Sequence, residues 1–231
     1  MTTNRTSLLH DLLPTRIFVL DGAMGTMIQR HRLTEQDFRG ARFASHSHDL
    51  KGDNDVLCLT RPDVIGGIHR EYLEAGADII ETCTFNSNAI AQLDYGLEGL
   101  CYELNLEGAK IARAAADEYT AKNPARPRFV AGSIGPTNRI LSISPDVNNP
   151  AFRNMTFDQL REAFKEQLRG LIDGGCDLLL FETIVDTLNM KAGIVAVEEV
   201  FEEKGLRLPL MISVTITDII DAGLLAQAGE K

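Results

Sequence analysis

The sequence predicts an α/β fold, an incomplete (β/α)8 barrel of the TIM type with about five of the eight βα units. Short apolar runs rich in β-branched residues alternate with longer segments of helical periodicity, as in parallel sheets covered by helices. Residues 74–82 and 173–183 repeat one pattern, in which a glycine ends a helix and an aspartate precedes an apolar strand that ends in Glu-Thr. Such units stack with right-handed crossovers, and many close into a barrel. A doubly wound open sheet is the alternative, but no Gly-x-Gly-x-x-Gly follows a strand.

The individual elements follow from where these runs begin and end. Each apolar run is too continuous to alternate, as expected when both faces of a sheet are covered. Strands are predicted at residues 17–20, 78–84, 129–133, 177–183 and 208–217. Helices are predicted at residues 63–75, 99–121, 157–174 and 188–204, and a long loop at residues 30–60. The chain then divides into a lead-in at residues 1–15, the partial barrel at 16–218 and a divergent tail at 219–231.

Composition excludes several classes of protein. The 231 residues include 23 Lys plus Arg and 33 Asp plus Glu, so the formal net charge of −10 argues against a nucleic-acid-binding protein. No apolar run approaches the roughly 20 residues that span a bilayer, and the N-terminus lacks a signal-like stretch, so we expect no membrane contact and a cytoplasmic location. The four cysteines, at 58, 83, 101 and 176, are too widely spaced for a disulfide framework and are expected to be reduced and buried.

Polar residues follow the predicted strands at their carboxyl ends, which meet at one mouth of a barrel. Asp21 and Glu182 lie at two of these ends. They could serve as a carboxylate pair for acid–base chemistry or as a cradle for a substrate ammonium group, and the residues leave both open. Asp21 could equally be a turn residue that precedes Gly22. Glu81, at a third strand end, is the better candidate for a structural salt bridge.

The long loop contains two aspartates and two histidines, a composition that raises the question of a metal site. These residues, Asp53, Asp55, His46 and His48, lack the regular spacing of a ligand set. We therefore predict a solvated loop at these positions.

A series of motifs follows the strand ends in order along residues 16–218. They are VLDGAMGTM at 19–27, DLKGDND at 49–55, EAGADIIET at 74–82, TFNS at 84–87, GPTNR at 135–139, ISPDV at 143–147 and FET at 181–183. Together they resemble the N-terminal homocysteine-binding module of the cobalamin-dependent methionine synthase family. A set this long, in this order, is far more specific than any one motif.

The resemblance implies a (β/α)8 barrel that binds homocysteine and a zinc ion. In the family, a methyl group from methylcobalamin, which is recharged from methyltetrahydrofolate, passes to the homocysteine sulfur and gives methionine. Asp21 and Glu182 match the family's acidic residues near the substrate amino group, and Asn86 and Ser133 match residues that line the same mouth. The implied partners are homocysteine and the cobalamin- and folate-binding modules of the full-length relative.

The zinc ligands of the family have no counterpart in this sequence. The family binds zinc through three cysteinates, one after the sixth strand and an adjacent Cys-Cys pair at the eighth, whereas this chain has no Cys-Cys pair and five predicted strands. We therefore expect no metal ligands and no catalytic residues here, and interpret the chain as an inactive N-terminal fragment. The alternatives are a barrel enzyme that uses Asp21 and Glu182 as an acid–base pair, and a non-catalytic remnant that binds amino acids.

Overall fold

The sheet of this protein consists of four parallel strands. The structure is a computed structural model that describes residues 3–216, so the predicted tail at 219–231 lies outside the described residues. The strands are β1 (Ile79–Glu81), β2 (Phe129–Ile134), β3 (Leu178–Ile184) and β4 (Leu210–Val214), and they neighbour one another in chain order. The predicted fold class is confirmed: helices and a parallel sheet form a partial barrel, which is not closed within the described residues.

The strand predicted at residues 17–20 is present only as a bridge. Leu20 pairs in parallel with Ile79, and the Asp78 N–H donates to the Val19 carbonyl. The Val19 N–H donates instead to the Asp78 carboxylate, at 3.0 Å. Since this amide is bound by a side chain rather than by a neighbouring strand, pairing does not extend further back along the chain.

The four predicted helices are confirmed within two residues at each end. The capping box at Thr156 and Gln159 is present at the start of one of them.

The predicted loop at 30–60 contains short helices as well. The helices are α1 (Thr3–Leu12), α2 (Met24–Arg30), α3 (Glu35–Arg39), α4 (Leu57–Thr60), α5 (Pro62–Ala75), α6 (Ala89–Gln92), α7 (Cys101–Lys122), α8 (Phe157–Gly174) and α9 (Thr187–Lys204). Within the described part of the chain, none is long and apolar enough to cross a membrane.

The two faces of the sheet pack into different apolar layers. Leu179 and Phe181 of β3 belong to the core that the sheet forms with α7, α8 and α9. Leu178 and Leu180 face the other way, into the interior of the partial barrel, where Leu9 of α1 covers them. Residues of both faces are buried, which explains the continuous apolar runs in the sequence.

The aspartate of the repeated sequence pattern has a structural role at the amino ends of the strands. Asp78 accepts from Arg126 at 2.8 Å, and Asp177 accepts from Arg113 at 2.6 Å and from the Val130 N–H at 2.9 Å. Both carboxylates are buried, and both tie a strand start to the neighbouring chain. In each copy of the repeat, a buried aspartate therefore pairs with an arginine at the amino end of a strand, opposite the polar carboxyl ends.

The last strand, β4, exposes apolar side chains, among them Ile212, which is 43% exposed. Within the described residues, no strand pairs with its outer edge. Unpaired apolar edges promote association between copies, so we expect the protein to self-associate with rising concentration. Ile212→Lys should weaken this association in sedimentation experiments, whereas Ile194→Lys, on the outer surface of α9, should not. A monomer at every concentration with one sharp thermal transition would contradict the prediction.

Candidate functional site

A cavity of about 270 Å³ lies at the carboxyl ends of the strands. Four residues singled out in the sequence, Asp21, Asn86, Ser133 and Glu182, all line it. They come from the segment after Leu20, the loop after β1, β2 and β3, so parallel strand ends bring together residues up to 161 positions apart. Their part in binding a substrate stays a prediction.

Asp21 is anchored to the first strand. Both of its carboxylate oxygens accept from the Glu81 N–H, at 3.1 and 3.0 Å. Burial raises the pKa of Asp21 to about 7, and the charge of Glu182 acts in the same direction. The carboxylate is thus fixed at the cavity wall by the backbone of β1, so Asp21 does more than form the turn before Gly22.

Glu182 and Ser133 form a pair across β2 and β3. The Ser133 hydroxyl donates to Oε1 of Glu182. Burial raises the pKa of Glu182, while the bond from Ser133 opposes the shift. One carboxylate oxygen is held by this bond, and Glu182 also lines the cavity.

Glu81 is the residue whose predicted role is wrong. No basic side chain pairs with it among the described residues, and its carboxylate lines the cavity with Asp21 and Glu182. Burial and the charges of Glu182 and Asp21 raise its pKa to about 8. The sequence repeat could have predicted this place at the cavity, because Glu81 follows the first repeated strand as Glu182 follows the second.

The predicted solvated loop is also wrong for its two aspartates. Asp53 and Asp55 are buried, and Oδ2 of Asp55 accepts from the Asn86 N–H at 2.7 Å and from the Ser87 hydroxyl at 2.8 Å. Gln92 donates to Asp53 at 3.1 Å. Burial, followed by the charge of Asp53, raises the pKa of Asp55 to about 8. Asp55 therefore fixes the loop that carries Asn86, a role that depends on partners about 30 residues away.

The remaining metal-binding candidates, His46 and His48, lie side by side with ring centroids 5.7 Å apart, but no third ligand joins them within the described residues. His46 lies in hydrogen-bond contact with the Tyr95 carbonyl at 2.8 Å, and His48 contacts Ser47. Over the described range, no three His, Cys, Asp or Glu side chains are placed to hold a metal ion. The four cysteines are free and buried, as the sequence predicted.

Comparison with known proteins identifies relatives of this fold. The family model for homocysteine S-methyltransferase matches residues 18–228. Structures of the homocysteine methyltransferase MmuM from Escherichia coli are similar to this chain. The metallated form has a TM-score of 0.68 at 23% identity, covering 91% of this chain and 67% of MmuM. The oxidized form has a TM-score of 0.67 at 24% identity, covering 91% of this chain and 66% of MmuM. The apo form has a TM-score of 0.60 at 22% identity, covering 90% of this chain and 63% of MmuM. At these identities the likeness establishes the fold, and the chain spans about two thirds of the MmuM length.

Proposed function

Because this chain belongs to the homocysteine S-methyltransferase family, we propose that its cavity binds the amino-acid end of homocysteine during methyl transfer to the homocysteine sulfur. Four acidic residues line the cavity, and one of them, Asp55, already accepts from Asn86 and Ser87. The observation that carries the proposal is the meeting of the other three, Asp21, Glu81 and Glu182. The residues that line it include no Lys, Arg or His. Such a wall favours a ligand that brings a positive charge.

The α-ammonium group of an amino acid fits this requirement. It has three N–H donors and a full charge, and a charge-assisted hydrogen bond contributes about 1.5–3 kcal/mol. Asp21 is already oriented by the Glu81 N–H and Glu182 by Ser133. Little side-chain freedom is lost on binding, which supports recognition of a small ligand by few contacts.

The proposed methyl donor is methylcobalamin, recharged from methyltetrahydrofolate, as in cobalamin-dependent methionine synthase. Support comes from the ordered motifs at residues 19–27, 49–55, 135–139 and 143–147, which resemble the N-terminal module of that enzyme. The cobalamin and the folate would be bound by other modules of such an enzyme. In this proposal the described residues recognise the substrate rather than carry the methyl group.

The zinc ion that the resemblance implies does not fit the donors present. Cys58 donates its thiol proton to the Cys83 carbonyl at 3.3 Å, and Cys83 donates to the Asn54 carbonyl at 3.5 Å. Burial also raises the pKa of Cys176 above its ordinary value. A cysteine binds zinc as the thiolate, and a zinc site needs at least three converging ligands, which residues 3–216 do not offer.

We accordingly expect the protein to hold no stoichiometric zinc. After a wash with a chelator and dialysis, elemental analysis should find much less than one zinc per chain, and Cys83→Ser should leave that value unchanged. One tightly held zinc per chain that the Cys83→Ser substitution removes would contradict this expectation.

A second candidate function is acid–base chemistry on another small substrate. The observation in its favour is the pKa of about 7 for Asp21, close to the value that suits a general base at neutral pH. In that case the carboxylates would act on a proton of the substrate and would not need an ammonium group on it.

Calorimetry with three ligands tests the proposal. Homocysteine and methionine should bind with similar affinity, in the range of about 0.1–10 mM, because only the amino-acid end is recognised. The methionine analogue that lacks the amino group should not bind measurably. Binding of that analogue would favour the acid–base alternative, and tight binding of homocysteine alone would show that the sulfur is recognised.

A further inference from the structure

Thr183 has an unusual backbone conformation beside the candidate site. Its φ is +59°, and Arg32 is the other non-glycine residue of the described chain with a positive φ. A β-branched residue is strongly disfavoured in this left-handed region. The Thr183 side chain is exposed, so its own packing in the core does not offset the strain.

The pairing of β3 with β4 explains where the strain arises. Phe181 pairs with Ile212 and Ile184 pairs with Val214, so three steps along β3 face two steps along β4. Glu182 and Thr183 together face the single residue Ser213 of β4, which is a β-bulge, and Thr183 is its residue with the left-handed backbone. The insertion returns Ile184 to the helix-facing core that also contains Phe181, and Ile184 is buried there.

The segment after the bulge is held firmly. The Asp186 carboxylate accepts from the N–H groups of Leu141 and Ser142, at 2.7 and 2.9 Å. It also caps the start of α9 by accepting from the N–H groups of Leu188 and Asn189. Burial of Ile184 on one side and the Asp186 network on the other thus fix the chain that leaves Thr183.

Glu182 is the other residue of the bulge and immediately precedes Thr183. Its carboxylate accepts from Ser133 on β2 and lines the cavity. A bulge bends its strand and redirects the adjacent side chain, and such bulges are frequent beside functional sites. We propose that Thr183 is a positioning residue, whose left-handed backbone aims the Glu182 carboxylate at Ser133 and into the cavity. The ligand-binding consequence rests on the proposed function, whereas the aiming of Glu182 does not.

Three variants separate the backbone of Thr183 from its side chain. Thr183→Asn keeps a residue that tolerates positive φ, Thr183→Val keeps the β-branched shape without the hydroxyl, and deletion of Thr183 removes the bulge. Thr183→Pro, whose ring holds φ at about −65° and so excludes the left-handed conformation, replaces the deletion if the latter does not fold. Thr215→Gly, a change at an exposed threonine just after β4, is the matched control.

Carboxyl NMR titration of Glu182 is the primary readout because it needs no ligand, and Glu182→Gln assigns the signal. The raised pKa of Glu182 should persist in Thr183→Asn, Thr183→Val and Thr215→Gly. It should fall towards its ordinary value in the deletion and in Thr183→Pro. Thr183→Asn should also have a higher melting temperature than the wild type, because the strain is relieved.

Methionine affinity is the second readout. We expect a loss of about tenfold in the deletion variant and in Thr183→Pro, with Thr183→Asn retaining wild-type affinity. An unchanged Glu182 titration in both the deletion and the proline variants would overturn the proposal and leave Thr183 a purely structural role. If the titration shifts as expected but no form of the protein binds methionine, the positioning role stands and the proposed function fails.

Discussion

Methionine is expected to bind this protein about 50-fold more tightly at pH 7 than at pH 6 and about tenfold more tightly again at pH 8, with little further gain above about pH 9. Burial, with a smaller contribution from the charge of Glu182, raises the pKa of Asp21 to about 7. Burial and the charges of Glu182 and Asp21 raise that of Glu81 to about 8. An ammonium ligand binds the ionised carboxylates, so below these pKa values it must displace protons. Each proton displaced changes the affinity about tenfold per pH unit.

Calorimetry in two buffers with different heats of ionisation measures this effect directly. At neutral pH the apparent enthalpy should differ between the buffers, in the sense of proton release on binding. Asp21→Asn removes one of the titrating groups and should flatten the affinity profile. An affinity that is constant from about pH 6 to pH 8, with no proton release, would contradict the prediction.

Replacement of Glu182 by Gln is expected to weaken methionine binding about 10- to 100-fold, the equivalent of about 1.5–3 kcal/mol for a lost charge-assisted hydrogen bond. Glutamine keeps the shape of the side chain and an oxygen that can accept from Ser133, so the fold should be retained. Calorimetry gives the affinity and a thermal melt followed by circular dichroism gives the stability.

Glu107→Gln is the matched control for this substitution. Glu107 lies on the exposed face of α7 in an ion pair with Lys110, away from the cavity, so its replacement should leave the affinity unchanged. Tight, thiol-dependent homocysteine binding that survives Glu182→Gln would show that the sulfur, not this carboxylate, controls recognition.

Local sequence patterns were sufficient to predict most helix bounds and two of the strands. Apolar runs predicted β2 and β3 to within one residue at each end, whereas the strands predicted at 78–84 and 208–217 are longer than the observed β1 and β4. A capping box with a following glycine predicted the bounds of α8. Asp21 and Glu182 could be placed at one mouth because parallel strands bring their carboxyl ends to the same edge. The strand at 17–20 could not be predicted as a bridge, since the Asp78 side chain takes the Val19 amide.

The rest of the site depends on contacts between distant segments. The sequence next to a carboxylate does not show which side chains will face it in the fold. Asp78, before β1, faces an arginine, whereas Glu81, at the end of β1, faces two other carboxylates. Asp53 and Asp55 are buried because Gln92, Asn86 and Ser87 return from beyond β1 to bond them. Composition and spacing alone therefore predict neither the acidic surroundings of Glu81 nor the burial of Asp53 and Asp55.

The carboxyl groups at the two ends of the sheet affect the pH dependence of stability in opposite directions. At the amino ends, burial works against ionisation of Asp78, but the bonds from Arg126 and the Val19 amide prevail and lower its pKa. Its stabilisation is therefore present above about pH 4 and is lost in stronger acid. Asp21 and Glu81 at the mouth have raised pKa values, so the stability linked to them is fully present below about pH 4 and is lost progressively as the pH rises to about 7 and 8. The empty protein is accordingly most robust in mild acid, where its mouth is least able to hold an ammonium ion, and a bound amino acid protects it most at alkaline pH.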